Sequence, residues 1–215
     1  MKKLILCLVL GLTLTVTKYA FAQSFNGGLI AGATAAQVDG DAYAGFHHFG
    51  WTTGAFINLP LKNHFSFQME LKYTLLGAHS DILEEIEYHY NHFYLHLHYA
   101  EIPLMLQYDL GFFTLGGRPL DFITLELGTS LDFLMKSKES ADYEPAYESP
   151  RWNFFSMTGN AGVLLNLNKC WGFGVRFMYS ITPIRFTGNP GWFYNQYYNK
   201  AWMATLTYRI MAPGK

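Results

Sequence analysis

The histidines of this chain are the first candidates for chemistry, because a neutral imidazole binds zinc, copper, iron or nickel. All eight lie between His47 and His98. His96 and His98 are two residues apart, so on a strand they share one face and could bind one metal together with His89 or His92. No Cys or His spacing typical of a metal site supports this hypothesis. We therefore favour a loop rim decorated with histidines, and we expect neither a metal nor a cofactor.

A second candidate chemistry is ester hydrolysis at a membrane surface. Ser80 and Asp81 precede His96 and His98, and a serine or aspartate beside a histidine could attack a lipid ester. The spacing carries no triad signature, because a triad is defined by geometry and these residue types are common at loop rims. We therefore expect no catalytic residue and no enzymatic activity.

Charged residues that alternate with apolar ones form a third group. From residue 65 to residue 75 every odd position is large and apolar and every even position is polar. A strand places these two sets on opposite faces. In water the apolar face would cover a core, whereas in a membrane barrel it faces lipid and the polar face lines the lumen.

If the apolar set faces lipid, acids and bases from several strands meet in the lumen. They are Glu70, Lys72, Glu101, Glu126, Asp132, Arg176 and Arg209, with Gln68 beside them. An eight-stranded barrel is only wide enough for side chains to fill it, and an unpaired buried charge would cost several kcal/mol. We predict that these ions pair into a network that closes the lumen. The alternative is a narrow ion pore through the same residues.

Eight segments along the chain have the length and patterning of strands. They cover residues 26–34, 49–59, 65–75, 94–110, 121–134, 154–167, 171–182 and 201–211. Long and short connections alternate between them, as in bacterial outer-membrane barrels with long outside loops. Their lengths suit the roughly 9–11 tilted residues that cross a bilayer. Closure into a barrel would pair every backbone group and leave no free edge.

The first 22 residues have the pattern of a secretory signal peptide. Lys2 and Lys3 precede an apolar run, and Ala20-Phe21-Ala22 stands before Gln23. The apolar run is shorter than the roughly 20 residues of a spanning helix. We expect residues 1–22 to be removed and residues 23–215 to form one barrel domain.

Composition favours a membrane barrel over a soluble domain. Aromatic residues make up 18% of the chain and charged residues only 14%, against a usual charged share of roughly 25%. Of the 15 Lys and Arg, Lys2, Lys3 and Lys18 precede the cleavage site, which leaves 12 against 16 Asp and Glu. This mildly acidic balance argues against a nucleic-acid partner. Cys170 is the single cysteine after cleavage, so the mature chain has no disulfide framework.

The fourth segment contains Tyr99-Ala100-Glu101-Ile102-Pro103-Leu104, after the 65–75 strand and a Gly-rich first strand. This Tyr-x-Glu-Ile-Pro-Leu strand in this order resembles the PorT-like outer-membrane β-barrel proteins, also called the porin family, of Gram-negative bacteria. The resemblance covers essentially the whole mature chain. It implies an eight-stranded up-and-down barrel, transfers no catalytic residue, and suggests a role in a protein secretion assembly through the family's namesake.

The last long connection is rich in aromatic residues. Between Phe186 and Tyr198 it holds Trp192, Phe193, Tyr194 and Tyr197. Tyr and Trp give large contact area at modest entropy cost, so this segment could bind a protein or glycan partner. We favour the simpler interpretation that it covers the barrel mouth or lies among the lipid headgroups.

The sequence thus predicts an all-β fold, an eight-stranded antiparallel up-and-down transmembrane β-barrel, in the outer membrane of a Gram-negative bacterium. We expect a monomer in contact with outer-membrane lipid, with a protein or glycan partner at its extracellular loops. Three alternatives stay open: a small-solute pore, a component of a secretion assembly, and a soluble periplasmic lipocalin-like binding barrel. Orientation separates the membrane barrel from the soluble one. The membrane barrel needs Phe67, Leu71, Val175 and Phe177 outside and Glu70, Glu126 and Arg176 inside.

Overall fold

Strands make up nearly all of the regular structure in the computed structural model, which describes residues 25–40, 45–80, 93–141, 151–186 and 196–210. The eight long strands are β1 Asn26–Asp39, β2 His48–Pro60, β3 Phe65–His79, β4 Phe93–Asp109, β5 Ile123–Ala141, β6 Phe155–Asn166, β7 Trp171–Ser180 and β8 Gln196–Ile210. In the described ranges, no helix is long and apolar enough to cross a membrane.

Each strand pairs antiparallel with the next, and β8 pairs with β1. The closing pair runs from Gly27 opposite Ile210 to Asp39 opposite Tyr198, so the seam is as continuous as the other ladders. The fold is therefore a closed eight-stranded up-and-down barrel, and the predicted fold class is confirmed. Closure gives the strand backbones partners on both sides, as a bilayer requires.

The two ends of the barrel differ in their connections. The end with the long connections, which we call the outer end, joins β1 to β2, β3 to β4, β5 to β6 and β7 to β8. At the other end, the inner end, Asn63 and His64 turn β2 into β3 with φ of 58° and 66°. The β4–β5 connection holds a 3-10 turn and a small hairpin, in which Thr114–Leu115 pairs with Arg118–Pro119.

The strand faces have the orientation that a membrane barrel needs. Leu71 and Leu127 are outside, with 64% and 66% of their surface exposed, while Glu70 and Arg176 are inside at 1% and 4%. Phe67, Val175 and Glu126 follow the same rule. A soluble barrel around an apolar ligand cavity needs the opposite arrangement, so this geometry argues against the lipocalin-like alternative.

Aromatic side chains form bands near both ends of the outer wall. At the outer end, the ring centroids of Trp51 and Tyr73 are 5.1 Å apart. At the inner end, those of Phe65 and Tyr108 are 4.8 Å apart, and those of Trp171 and Tyr208 are 4.9 Å apart. Two such girdles flank the lipid-facing band of outer-membrane barrels, where amphipathic rings lie at the headgroups.

Several strands extend further toward the outer end than the sequence predicts. The first ends at Asp39 and the third at His79, whereas the patterning predicts ends at residues 34 and 75. Strand β5 continues to Ala141, through polar residues with no apolar alternation. It pairs with β4 along its whole length, with one irregularity between His98 and Tyr99. Pairing with a neighbouring strand, rather than local sequence preference, sets these ends.

Candidate functional site in the barrel interior

Most inward side chains fall into three groups along the barrel, and the buried apolar side chains of Ile30, Phe56, Met105 and Leu164 lie outside these groups. We call the three groups the polar vestibule at the inner end, the ionic layer in the middle and the apolar layer toward the outer end. The ionic layer consists of Gln68, Glu70, Lys72, Glu101, Gln107, Glu126, Asp132 and Arg176, all buried. The apolar layer consists of Val38, Leu76, Leu95, Leu97, Tyr99, Met178, Ile184, Ala201 and Met203 with smaller neighbours.

Arg176 on β7 is the centre of the ionic layer. Its Nη1 and Nη2 donate to the two carboxylate oxygens of Glu70 on β3 at 3.0 and 2.9 Å. Nη2 also donates to Oε2 of Glu126 on β5 at 3.1 Å. A planar guanidinium suits this fork-shaped pairing better than the point charge of an ammonium. Arg176 thereby joins three strands across the lumen.

Lys72 extends the network to β4. Its Nζ lies 3.2 Å from Glu101 Oε2 and 3.7 Å from Glu70 Oε2, so one ammonium serves two carboxylates. Thr74 donates to the same Glu101 oxygen at 2.9 Å. The strand periodicity that predicted these residues also explains the arrangement, because Glu70, Lys72 and Thr74 are successive inward positions of β3.

Two amides complete the inner side of the ionic layer. Gln68 Nε2 donates to Glu70 Oε1 at 2.8 Å, and Gln107 Nε2 donates to Glu126 Oε1 at 2.7 Å. Gln107 Nε2 also reaches Gln68 Oε1 at 3.2 Å. Carboxylates that already bind a cation thus gain further donors, which a buried charge needs to offset its lost hydration.

Two residues that the sequence assigned to the network have different partners. Arg209 is half-buried in the polar vestibule, apart from the ionic layer, and donates to Asn166 Oδ1. Asp132 is buried, but it accepts a hydrogen bond from Thr158 Oγ1, and none of the ion pairs among the described residues includes it. Residue spacing along a strand gives the face of each side chain but not its neighbour across the lumen.

The polar vestibule is a cavity of about 400 Å³ that is open at the inner end. Asn58, Gln107, Asp109, Asn166 and Arg209 are among its lining residues. Asn58 Nδ2 donates to Gln107 Oε1 at 2.7 Å, which ties the wall of the vestibule to the ionic layer. Water or a small polar solute from the inner side could therefore reach the ionic layer.

The apolar layer is a feature that the sequence did not predict. Leu95 and Leu97 of β4 point inward and are 1% and 0% exposed, while His96 and His98 point outward. Above them Arg185 covers the Trp152 ring with 4.4 Å between its Cζ and the ring centroid, and its Nη1 lies 3.1 Å from Glu139 Oε2. The sequence feature that could have indicated this layer is the alternation of Leu with His in β4. That alternation does not show which of the two faces points inward.

Three histidines, His79, His96 and His98, point outward from β3 and β4, and they have different partners. His96 Nδ1 is 3.0 Å from His48 Nε2, and His98 Nδ1 is 2.6 Å from the Tyr73 hydroxyl. His79 stacks on a tyrosine of β4. His89 and His92 lie outside the described residues. Within the described part of the chain, no group of three or more His, Cys, Asp or Glu could hold a metal ion.

The structure describes three of the four candidate ester-hydrolysis residues. Ser80 Oγ accepts a hydrogen bond from the backbone N–H of Phe93 at 3.1 Å, while His96 and His98 are bonded to His48 and Tyr73. Asp81 lies outside the described residues. The described hydrogen bonds of these two histidines therefore do not orient either of them toward Ser80.

The aromatic last connection is described only at its ends. Tyr197 packs beside Trp152 with 6.0 Å between ring centroids, and Tyr198 stacks on Tyr179 at 6.1 Å. Residues 187–195, which include Trp192, Phe193 and Tyr194, lie outside the described ranges. The start of β8 thus contributes one aromatic ring, Tyr197, to the barrel mouth and one, Tyr198, to the outer wall.

Comparison with solved structures finds several small outer-membrane proteins. Ail of Yersinia pestis, in a complex with the heparin analogue sucrose octasulfate, is 11% identical, with 87% of this chain and 99% of Ail covered and a TM-score of 0.48. Neisserial surface protein A is 14% identical over 86% and 97% of the two chains, with a TM-score of 0.43. OprG of Pseudomonas aeruginosa is 13% identical over 87% and 95%, with a TM-score of 0.42.

Sequence comparison identifies the family. Among curated proteins, none matches this chain. Residues 21–185 match the family described as "Outer membrane protein beta-barrel domain", which is most of the chain and includes β1 to β7. The closed barrel, its lipid-facing wall and this match agree on an outer-membrane location in a Gram-negative bacterium. The chain belongs to the outer membrane protein beta-barrel domain family.

Proposed function

We propose that this protein is a non-conducting, non-enzymatic outer-membrane barrel that acts through its outer end. The observation that carries the proposal is that two layers of different chemistry stand in series inside the lumen. A solute would have to cross the ionic layer and then the apolar layer. Each layer alone would oppose passage for a different physical reason.

The ionic layer opposes passage because its charges are buried and already paired. Moving the Arg176 guanidinium aside would leave Glu70 and Glu126 without their shared cation. Losing one partner of a buried pair costs roughly 3–5 kcal/mol. Passage of an ion through this layer would therefore require several charge pairs to separate together.

The apolar layer opposes passage because its side chains form one buried apolar cluster, in which Asn199 bonded to the Tyr99 hydroxyl is a polar exception. Leu95 and Leu97 from β4 meet Met203 from β8 and Met178 from β7 in one buried cluster. Hydrophobic constrictions can block conduction by excluding water. Support for a closed lumen therefore does not rest on the salt bridges alone.

The outer end is the surface available for interaction with other molecules. Strands β3 to β5 form the part of the barrel wall that extends furthest at this end. Beyond its apolar part, β5 carries the exposed polar residues Lys136–Ser140. The long connections at this end are rich in acids and aromatics in the sequence. We expect them to contact a protein or glycan, or to have a structural role at the cell surface. Participation in a secretion assembly stays a prediction from the resemblance.

Single-channel recording in planar lipid bilayers tests the closed lumen. Folding of each sample is first verified by heat-modifiable gel mobility. We expect no unitary currents from the mature chain, and none from Arg176→Ser or Leu97→Ser alone, because one layer remains in each. The combined variant serves as the control that opens both layers and should conduct. Reproducible unitary currents from the unaltered protein would show a pore and refute the proposal.

A further inference from the structure

The ionic layer contains more buried acid than buried base. Its carboxylates are Glu70, Glu101, Glu126 and Asp132, and its cations are Lys72 and Arg176. Arg176 pairs with Glu70 and Glu126, and Lys72 pairs with Glu70 and Glu101. With all four carboxyl groups ionised, the acids of the described barrel interior outnumber its cations by two, in a region where an isolated charge costs several kcal/mol.

Among the described residues, no other lysine or arginine forms an ion pair with these four carboxylates. Arg185 pairs with Glu139, Lys200 pairs with Asp39, and Arg209 lies in the vestibule beside Asn166. Arg118 belongs to the small hairpin at the inner end, and the exposed cations of the strands and turns are Lys62, Lys136, Lys138, Arg151 and Lys169. The segments 41–44, 81–92, 142–150 and 187–195, which the structure does not describe, contain no Lys or Arg in the sequence.

The unbalanced charge coincides with a row of oxygens that have no hydrogen-bond partner among the described residues. The atoms are Glu101 Oε1, Asp132 Oδ1 and Ser156 Oγ. Glu101 of β4 is directly opposite Asp132 of β5, which is directly opposite Ser156 of β6. All three point inward, and they are 1%, 3% and 2% exposed. Opposite positions on neighbouring strands have Cβ atoms roughly 4.5–5.5 Å apart.

These three residues have the properties of an oxygen-ligand site. The second oxygen of each carboxylate is already engaged, Glu101 Oε2 by Lys72 and Thr74 and Asp132 Oδ2 by Thr158. The remaining oxygens are thus fixed in orientation and available to bind. Hard cations prefer carboxylate and hydroxyl oxygens, whereas copper and zinc prefer sulfur and imidazole ligands, which the row lacks.

We propose that Glu101, Asp132 and Ser156 bind a hard inorganic cation, an alkali or alkaline-earth ion, inside the barrel. The ion supplies the positive charge that the ionic layer lacks. Lys72 and Tyr99 are the other titratable groups close to the row, and Lys72 already serves Glu101 and Glu70.

Cation-dependent stability of the refolded mature chain tests this site. The midpoint of urea unfolding in detergent micelles is followed by Trp fluorescence and gel mobility at neutral pH. Samples contain sodium, potassium, magnesium or calcium chloride, or N-methylglucamine chloride at the same ionic strength, since that organic cation is too large for the lumen. At about a hundred times its dissociation constant, a bound ion should raise the ratio of folded to unfolded chain about a hundredfold. The salt with the largest effect tells an alkali ion from an alkaline-earth ion.

Single substitutions test whether the cation acts at these three residues. Asp132→Asn keeps the size of the side chain but removes one charge, so we expect it to lose the cation response. It should also be at least as stable as the unaltered chain in N-methylglucamine. Asp39→Asn, at the outer rim beside Lys200, is the matched control and should keep the response. Ser156→Ala leaves every charge in place and should weaken the response, and it decides the question if Asp132→Asn does not refold.

Three results would overturn the inference. They are equal midpoints in all salts, a cation response that Asp132→Asn retains, and a midpoint that depends on pH but not on the cation. The last result would mean that the row shares a proton instead. None of these results depends on conductance. A barrel that neither conducts nor responds to cations would therefore refute the cation site but not the proposal of a closed lumen.

Discussion

Replacing Arg176 with methionine should be one of the most destabilising single changes in the barrel interior. The substitution keeps an unbranched side chain of similar length and removes the guanidinium. Three hydrogen bonds disappear, two to Glu70 and one to Glu126, with lengths of 3.0, 2.9 and 3.1 Å. Both carboxylates stay in place, and each loses a cation in an environment with little access to water.

The expected loss in unfolding free energy is about 3–5 kcal/mol, the cost of removing one partner from a buried ion pair. The polar vestibule and the amides of Gln68 and Gln107 limit this loss, because both carboxylates keep a donor at 2.8 or 2.7 Å. Two acids lose a cation, but we therefore do not expect the loss in unfolding free energy to be twice as large. Arg176→Lys should recover only part of the stability, since an ammonium cannot form the two-pronged pairing with Glu70.

Urea unfolding in lipid vesicles, followed by gel mobility, measures the loss. Arg209→Met is the matched control: it removes the same group from a half-buried site where the hydrogen-bond partner is Asn166 rather than a carboxylate. That control should cost about 1 kcal/mol. A double-mutant cycle with Glu70→Gln isolates the pair itself. If Arg176→Met costs no more than Arg209→Met, the ionic layer does not hold the barrel together and the reasoning fails.

Three further results are expected. Leu97→Ala should lower the unfolding free energy by about 2–5 kcal/mol, because it opens a cavity in the apolar layer, and a loss close to zero would mean that this layer is not packed. Leu127→Arg, on the lipid-facing wall, should cost about 2–4 kcal/mol in a bilayer; equal stability of the variant and the unaltered protein would contradict a lipid-facing Leu127. Intact-mass measurement of protein isolated from outer membranes should give a chain that begins at Gln23, whereas a chain that retains residues 1–22 would disprove the signal peptide.

The sequence predicts the barrel well wherever one strand face is apolar and the other polar. In residues 65–75 of β3 this contrast is complete, and in β7 Met178 departs from it, so the alternation alone assigns Glu70, Lys72 and Arg176 to the interior. Partners across the lumen cannot be assigned in this way, because they depend on how the strands are staggered around the barrel. For this reason the sequence places Arg209 in the ionic layer, although its neighbour is Asn166. The excess of acid near Asp132 likewise becomes visible only once the pairs are known.

Prediction fails in a different way toward the outer end, and β4 shows the physical reason. Below the irregularity at His98 and Tyr99, the outward residues of β4 are apolar, as lipid requires, and Glu101 points inward. Above it the pattern is inverted: Leu95 and Leu97 point inward, while His96 and His98 face outward opposite Lys138 and Lys136 of β5.

An inversion of this kind is expected where a strand leaves the bilayer, because its outer face then meets water and its inner face must supply a core. The apolar layer is therefore the core of the wall that extends beyond the lipid, whereas the part that lipid surrounds is filled by the ionic layer together with the buried side chains of Ile30, Phe56, Met105 and Leu164. The two layers thus follow from the two solvents that a single barrel wall meets. A prediction that assumes one solvent for the whole strand can locate the ionic layer but not the apolar one.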